Sequence, residues 1–161
     1  MISILGIDPG SKVTGWGILA GEGNRIEYIA SGEIKLKGKD YFVRLGEIYR
    51  GISEVCGRYS PKLLAIEEVF MGKNWRSALK LGQARGVAIL SAIHRGLEVL
   101  EFAPRQIKMA VAGSGRATKT QVQEMIRILL GLTAPLGEDE SDALAVAFCG
   151  ITKKELPYSL R

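Results

Sequence analysis

Acidic side chains follow two of the most apolar segments of the sequence and open a third. Asp8 ends the run ISILGID, and Glu67 and Glu68 follow the apolar stretch PKLLAI. Asp139 and Asp142 are three residues apart, so they share one face of the helix expected to start near Asp139. Carboxylates brought together repel one another unless cations neutralise them, and oxygen ligands suit Mg²⁺ or Mn²⁺. The pattern therefore indicates a site where two hard cations assist an in-line phosphoryl displacement.

Each of these acids also has a purely structural interpretation. Asp8 could cap the Pro-Gly turn that follows it, and the two glutamates could be solvated where a strand leaves the core. Acids in the first turn of a helix favour its dipole. Asp142 fits that explanation poorly, because it directly precedes the apolar run ALAVAF. Alternation along a strand sends Glu67 and Glu68 to opposite faces, and the pattern leaves open which one faces Asp8.

Zinc chemistry finds little support in the sequence. The one histidine, His94, lies in a helical segment and is predicted to be structural. Cys56 and Cys149 lack the spacing of a metal site, so both are predicted to be reduced and buried.

Strand patterns place these acids at the edge of a sheet. The segments ISILGID, TGWGILA and RIEYIASGEIKL predict an antiparallel meander, with GEGN as a turn between the last two. The segment PKLLAIEEVF predicts a buried central strand, and LEVLEFA a fifth strand. A glutamate strand running parallel beside the first would bring its acids to Asp8 at the carboxyl edge of the sheet.

Helical spacing fills the remaining segments. The first helix is expected around Tyr41, with an apolar face made of Phe42, Leu45, Ile48, Tyr49, Ile52 and Val55. Further helices are predicted over 75–96, 105–113 and 118–132, the last with a Thr118/Gln121 capping box. The sequence therefore predicts an α/β fold in one domain, residues 1–161: a five-stranded mixed sheet, three strands antiparallel and then parallel ones, with helices on both faces.

The segment 75–96 is apolar on every side. Val87–Leu90 are four consecutive apolar residues, which cover most of a helix's circumference, and Gly82 and Gly86 allow close approach. Such a helix must be buried on more than one side. The sheet covers one side, and either a neighbouring helix or a second subunit covers the other.

The charge of the chain favours a polyanionic partner. The net charge is +5 and the isoelectric point is about 9.3, with most of the positive excess in residues 61–130. A merely basic soluble enzyme is the alternative. No amino-terminal signal stands out and no run approaches the ~18 apolar residues of a membrane span, so a cytoplasmic protein without membrane contact is expected.

Six segments together resemble the bacterial Holliday-junction resolvases, the RuvC family. They are GIDPGSKVTGWG, AIEEVFMGKN, SALKLGQARGVAIL, RQIK, KTQVQEMIRILL and DESDALAVAF, and they follow the family's order over essentially the whole chain. The resemblance implies an RNase H-like fold and a homodimer that nicks opposed strands of a four-way DNA junction. It also implies two Mg²⁺ ions per active site, with Mn²⁺ as a substitute, and a branch-migration motor complex, RuvA and RuvB, as partner.

The resemblance also assigns the reacting groups. The family's four catalytic, metal-binding acids fall on Asp8, Glu67, Asp139 and Asp142, which selects Glu67 over its neighbour. Lys119 matches a catalytic lysine that contacts the scissile phosphate. These five residues are the expected active site.

The expected DNA-binding residues lie around that site. By resemblance, Lys108 binds a backbone phosphate, as does Lys119, and Phe70 stacks on a base near the junction centre. Lys73 and Arg76 flank this aromatic, as an unpaired base over a phosphate would need. Arg116 is added because its glycine-rich loop, GSGRAT, suits a flexible phosphate contact.

Several features stand apart from this assignment. Trp75-Arg76 departs from the family pattern, and Glu138 and Glu140 are predicted to be solvated residues of the helix start. An actin-like ATPase or sugar kinase also opens with a glycine-rich turn around an aspartate, but such folds need two related domains. A non-catalytic junction-binding module is the other rival, and the presence of all four acids argues against it.

Overall fold

The five predicted strands all form, and they make one sheet. A computed structural model describes residues 1–22 and 25–153, so the predicted GEGN turn lies partly outside the described residues. The strands are β1 (Ile2–Asp8), β2 (Val13–Glu22), β3 (Arg25–Lys35), β4 (Leu63–Glu67) and β5 (Glu98–Phe102). The helices are α1 (Tyr41–Tyr59), α2 (Trp75–His94), α3 (Pro104–Ala112), α4 (Lys119–Leu129) and α5 (Glu138–Thr152).

The sheet is mixed, as predicted. Its order is β3-β2-β1-β4-β5. The pairs β1–β2 and β2–β3 are antiparallel, whereas β4 runs parallel to both β1 and β5. Ile7 pairs with Ile66, so the next residues, Asp8 and Glu67, end neighbouring parallel strands. The register thus brings the first two predicted acids to one edge.

Alternation along the strands divides the core into two layers. Leu5, Ile7 and Leu64 pack with α1 and α2 on one face of the sheet. Ile4 and Leu63 lie on the other face and pack with α3, α4 and α5. Successive side chains of a strand point to opposite faces, so each apolar strand supplies both layers. The prediction of helices on both faces is confirmed.

Helix α5 lies against the middle of the sheet because glycines of the strands leave room for it. Its residues Ala143–Gly150 are all buried. A Cβ atom on Gly6 would lie 2.0 Å from the carbonyl oxygen of Ala143, and one on Gly15 would lie 2.0 Å from that of Asp139. Any side chain at either position would push the helix away from β1 and β2. These contacts set the depth at which the first turn of α5 meets the sheet.

Most local predictions for the helices are confirmed. The Thr118 hydroxyl accepts a hydrogen bond from Gln121 N at 3.2 Å, and the Gln121 side chain accepts one from Thr118 N at 2.8 Å, which completes the capping box. Phe42 is an exception: it is 73% exposed instead of buried. The preceding Asp40 caps α1, and the buried face of the helix is formed by Ile48, Ile52, Val55 and Cys56.

The two cysteines and the histidine have the structural roles that the sequence predicts. Cys56 and Cys149 are free thiols buried in the core. The Tyr49 hydroxyl and His94 Nδ1 are hydrogen-bonded at 2.7 Å between α1 and α2, in keeping with a structural histidine. Among the described residues, no helix has the length and apolarity needed to cross a membrane.

Candidate active site

Four acidic residues meet at the carboxyl edge of the parallel strands. Asp8 and Glu67 end β1 and β4, and Asp139 and Asp142 lie in the first two turns of α5. The close approach of α5 to Gly15, which pairs with Asp8 across β1 and β2, brings that helix start to the strand ends. All four acids are half-buried. The structure therefore assembles acids from three distant parts of the chain.

A cleft of about 300 Å³ opens at this edge. Glu67 and Asp142 line it together with Lys108 and Lys119, so two acids face two bases. Its remaining lining is mostly apolar and consists of Pro104, Ile107, Val122, Ala145 and Val146. Glu67 lies in this cleft, and its charge acts on Asp8, which ends the neighbouring parallel strand at the equivalent position.

Burial and the charges of neighbouring acids raise the pKa values of Asp8, Glu67 and Asp142. Burial, followed by the charges of Asp142, Asp139 and Glu67, raises the pKa of Asp8 from 3.8 to about 8. Burial also raises the pKa of Glu67 and that of Asp142, and the charge of Asp142 raises the pKa of Glu67 further. The Lys119 ammonium acts in the opposite direction on all three. Lys119 thus compensates the acidic cluster only in part, and a cation would stabilise its ionised form further.

Lys119 is the strongest basic contact of the cluster. Its Nζ lies 3.0 Å from Oδ2 of Asp142 and forms a second, shorter ion pair with Glu138. The hydrogen bond to Glu138 is the main cause that raises the pKa of Lys119 above its usual value. The same bond lowers the pKa of Glu138. Glu138 is exposed, as predicted, but it also holds the ammonium group at the mouth of the cleft.

Glu140 is not the solvated residue that the sequence predicts. It is half-buried, and its Oε1 accepts a hydrogen bond of 2.5 Å from the Ser31 hydroxyl on β3. Its Oε2 accepts another, of 3.0 Å, from the backbone N–H of Gly137. The carboxylate therefore ties the start of α5 to the sheet. Ser31 is 109 residues away in the chain, so no local pattern could reveal this contact.

The donor set suits a hard divalent cation. Carboxylate oxygens are the preferred ligands of Mg²⁺ and Mn²⁺, and the acid cluster contains neither histidine nor cysteine. Within the described ranges, however, no group of three or more acidic, histidine or cysteine side chains is already arranged to hold a metal ion. Lys119 occupies one face of Asp142. The acids fit a cation in chemistry, and their ligand roles remain predictions.

The residues predicted to bind DNA are spread over a wider surface. Lys108 lies in the cleft beside Glu67, and its charge lowers the pKa of that acid. Phe70 and Lys73 are exposed in the segment between β4 and α2, and Arg76 is exposed in the first turn of α2. Arg116 lines a separate depression next to α4. Of these five residues, only Lys108 lies beside the acids, and the other four lie outside the cleft.

Arg85 was missed by the sequence analysis. Its Nε donates a 3.0 Å hydrogen bond to the carbonyl oxygen of Glu67, and its Nη2 pairs with Glu101 at 2.6 Å. The side chain is largely buried, so it fixes the end of β4 against α2. A single charged residue inside the mostly apolar segment 81–93 was the available signal.

Comparison with known proteins places this chain in a family. The family model described as crossover junction endodeoxyribonuclease RuvC matches residues 4–150. The chain belongs to the RuvC family. A RuvC of Citrifermentans bemidjiense is 52% identical over 147 residues, which cover 91% of this chain and 90% of that protein. The resemblance drawn from the sequence motifs is confirmed.

Solved RuvC structures share the fold. The RuvC of T. thermophilus in complex with a Holliday junction substrate superimposes with a TM-score of 0.85 at 32% identity and covers 92% of each chain. A yeast mitochondrial Holliday junction resolvase, Ydc2, has a TM-score of 0.60 at 12% identity, covering 92% of this chain and 78% of the other, a likeness of fold alone. The five-stranded sheet with helices on both faces is the RNase H-like fold of RuvC, as predicted.

Proposed function

We propose that this chain resolves Holliday junctions: it hydrolyses phosphodiester bonds in two strands of a four-way DNA junction during recombination and repair. The observation that carries the proposal is the cleft in which Glu67 and Asp142 face Lys108 and Lys119. Two acids whose pKa values are raised by burial lie beside two bases that suit a phosphate. The chain belongs to a family described as crossover junction endodeoxyribonucleases, and this membership indicates a four-way DNA junction as the substrate.

The four acids would hold the cations of the reaction. Asp8, Glu67, Asp139 and Asp142 are the ligands we assign to two Mg²⁺ ions, with Mn²⁺ as a substitute. When bound, such ions activate water and stabilise the leaving oxygen of an in-line displacement. The raised pKa of Asp8 supports this assignment. Ionisation of clustered carboxyl groups is unfavourable by itself and becomes favourable when a bound cation adds positive charge.

The protein's own residues position the substrate. Lys119 is the residue we place against the scissile phosphate, since its ammonium already lies 3.0 Å from Asp142. Lys108, on the other side of the cleft, would bind the next part of the backbone. We assign water as the nucleophile and expect no covalent enzyme intermediate. The products would be 5′-phosphate and 3′-hydroxyl ends.

The remaining predicted DNA contacts extend the path of the substrate. Phe70 is exposed beyond the end of β4 and is the residue we expect to stack on a base near the junction centre. Lys73, Arg76 and Arg116 would bind phosphates around it. Their exposure leaves each of them accessible to a strand that leaves the cleft.

We infer a homodimer from the outer face of α2. An exposed stripe along this helix is formed by Leu79, Gly82, Gly86, Leu90 and Ile93. A Cβ atom on either glycine would meet nothing within 4 Å, so a second copy of the helix has room to approach. Such a stripe at helical spacing is a natural two-fold contact. The single domain of residues 1–161, the RuvA and RuvB partners and the cytoplasmic location stay predictions of the sequence.

The test is cleavage of a synthetic four-way junction against a linear duplex of the same sequence. We expect Mg²⁺-dependent, paired nicking of the junction and little cleavage of the duplex. Asp8→Asn should abolish cleavage while junction binding persists, because the substitution removes a ligand and no phosphate contact. Equal cleavage of both DNAs would show that the protein is a general nuclease. Cleavage by the Asp8→Asn variant would contradict the assignment of Asp8 as a metal ligand.

A further inference from the structure

Trp75 is an exposed aromatic residue for which the family resemblance offers no role. It is the first residue of α2, and 56% of its surface is exposed. The Arg76 guanidinium lies over its ring, 5.2 Å from the ring centroid. One face of the indole is thus covered by a cation, and the other is available to a planar partner. An exposed tryptophan combines a large apolar ring with a polar N–H, and such side chains are enriched at binding surfaces.

The position of α2 directs Trp75 toward the substrate side of the sheet. Arg85 is hydrogen-bonded to the carbonyl oxygen of Glu67, at the carboxyl end of β4. Trp75 precedes Arg85 by ten residues, which is about 15 Å along a helix axis. The first turns of α2 therefore project past the edge that carries the acids. Phe70, 67% exposed, lies in the segment that leads into the same turn.

The proposed dimer brings two copies of this residue together. Trp75 lies on the same helical face as Leu79, Gly82 and Gly86 and continues the stripe toward its amino end. Two catalytic clefts that act on one junction must open in the same direction. The two α2 helices then pack with their amino ends on the substrate side, which places both Trp75 side chains beside the two-fold axis, facing the junction centre.

The charge around Trp75 favours nucleic acid as its partner. The sequence contains no Asp or Glu between Glu68 and Glu98, whereas Lys73, Arg76 and Lys80 surround the tryptophan along the chain. An aromatic ring among cations is the arrangement that binds a base by stacking while its phosphates are neutralised. Two such positive ends would repel each other at a protein–protein contact unless a polyanion lay between them.

We propose that Trp75 is a second stacking platform, which takes an unpaired nucleobase at the centre of the junction while Arg76 contacts the adjoining phosphate. The inference rests on the proposed junction-resolving function and extends it to a residue to which the family resemblance assigns no role. Each subunit then offers two aromatic rings, Phe70 and Trp75, to the bases that lose their partners at the crossover. The platform contributes to binding and positioning, and it touches none of the reacting atoms.

Fluorescence provides a direct test, because the chain has only two tryptophans. Trp16 is partly buried and lies against Tyr59, so Trp16→Phe leaves Trp75 as the sole tryptophan with the fold preserved. We expect the emission of this variant to be quenched when a four-way junction is added in Ca²⁺, and to change little with a linear duplex. Emission that shifts with protein concentration alone and ignores the junction would assign Trp75 to the subunit contact and overturn the proposal.

Affinity measurements separate stacking from apolar bulk. Trp75→Leu should weaken junction binding by about tenfold, and Trp75→Phe should keep most of it, as expected for base stacking. Linear duplex binding should be unchanged in both. Equal junction affinity of Trp75→Leu and the parent protein would overturn the inference while leaving the resolvase proposal intact. A parent protein that neither binds nor cleaves the junction would instead remove the proposed function itself.

Discussion

Lys119 and Asp142 form an ion pair across the mouth of the cleft, with 3.0 Å between Nζ and Oδ2. The same ammonium also pairs with the exposed Glu138. Lys119 thus provides part of the positive charge that the acid cluster needs, and it stands beside the carboxylate we assign to a metal ion. Binding of cations and a phosphate would transfer Lys119 from the acid to the substrate.

Replacing Lys119 should therefore affect cleavage more than binding. We expect Lys119→Met to lower the single-turnover rate by about 100-fold, the scale for loss of one group that stabilises developing charge. Junction affinity should fall less than about tenfold. Single-turnover cleavage at saturating enzyme measures the first effect and gel-shift titration the second. Lys62→Met, at the amino end of β4 and away from the cleft, is the matched control; equal rates in the two variants would contradict the assignment.

Asp8 should make the cation-free protein less stable as the pH rises. Its pKa is about 8 in the folded protein and 3.8 without burial, so the folded state binds more protons between these values. The free energy of unfolding then falls with pH across that window, by up to about 1.4 kcal/mol per pH unit. This loss of stability, the penalty for an ionised Asp8 in the folded protein, is fully present above pH 8. Below pH 4 the penalty disappears.

Urea unfolding in EDTA from pH 4 to 9 checks this dependence. Asp8→Asn removes the ionising group, so this variant should become more stable than the parent protein above neutral pH by a few kcal/mol. Glu54→Gln, on the exposed side of α1, removes a charge without touching the site and should follow the parent curve. Parallel curves for the parent and Asp8→Asn proteins would contradict the burial of this acid.

Gly15→Ala should damage both the fold and the site. The new Cβ would lie 2.0 Å from the carbonyl oxygen of Asp139, so the start of α5 must move away from β2. Overpacking of this kind costs about 3 kcal/mol of stability, and a shift of Asp139 and Asp142 should abolish cleavage. Thermal unfolding and junction cleavage measure the two effects. In Gly57→Ala, where the nearest atom is Arg95 Nη1 at 3.8 Å, stability should rise slightly and cleavage should persist.

Leu90→Glu should separate the proposed dimer. Leu90 is one of the three large apolar residues of the exposed α2 stripe, and a two-fold contact would bury two copies of it, each worth about 2 kcal/mol. Sedimentation velocity should show a dimer for the parent protein and a monomer with an unchanged fold for the variant. Ile128→Glu, on the exposed face of α4, should remain dimeric. A parent protein that sediments as a monomer at micromolar concentration would end the dimer proposal.

Sequence periodicity was sufficient for the architecture, because strand alternation and helical spacing are local properties. It predicted the antiparallel β1–β2–β3 meander, the parallel β4 and the helix that begins near Asp139. The choice between Glu67 and Glu68 needed more than the pattern, since both follow the same apolar run. The pairing of Ile7 with Ile66 puts Asp8 and Glu67 at equivalent positions on neighbouring strands, and this register is non-local.

The errors have the same physical origin. Phe42 satisfies the helical period but lies in the first turn, where α1 has not yet reached the core, and it remains exposed. Glu140 looked like a solvated first-turn acid, yet its partner Ser31 approaches from a strand far away in the sequence. Contacts of this kind depend on how closely α5 packs on the sheet, and the glycines that control it carry no side chain to signal it.

The burial of α5 also bears on how DNA is discriminated. Its acids stand on a helix held between the sheet and two other helices, so the cutting groups have little freedom to follow the substrate. In the proposed dimer, two such groups are held at a fixed separation, and the DNA must supply the flexibility. Linear duplex resists bending over a persistence length of about 50 nm, whereas the arms of a four-way junction hinge about their crossover. The enzyme would then select its substrate by mechanical compliance. Only a DNA that hinges could place two of its strands in two rigidly held active sites at the same time.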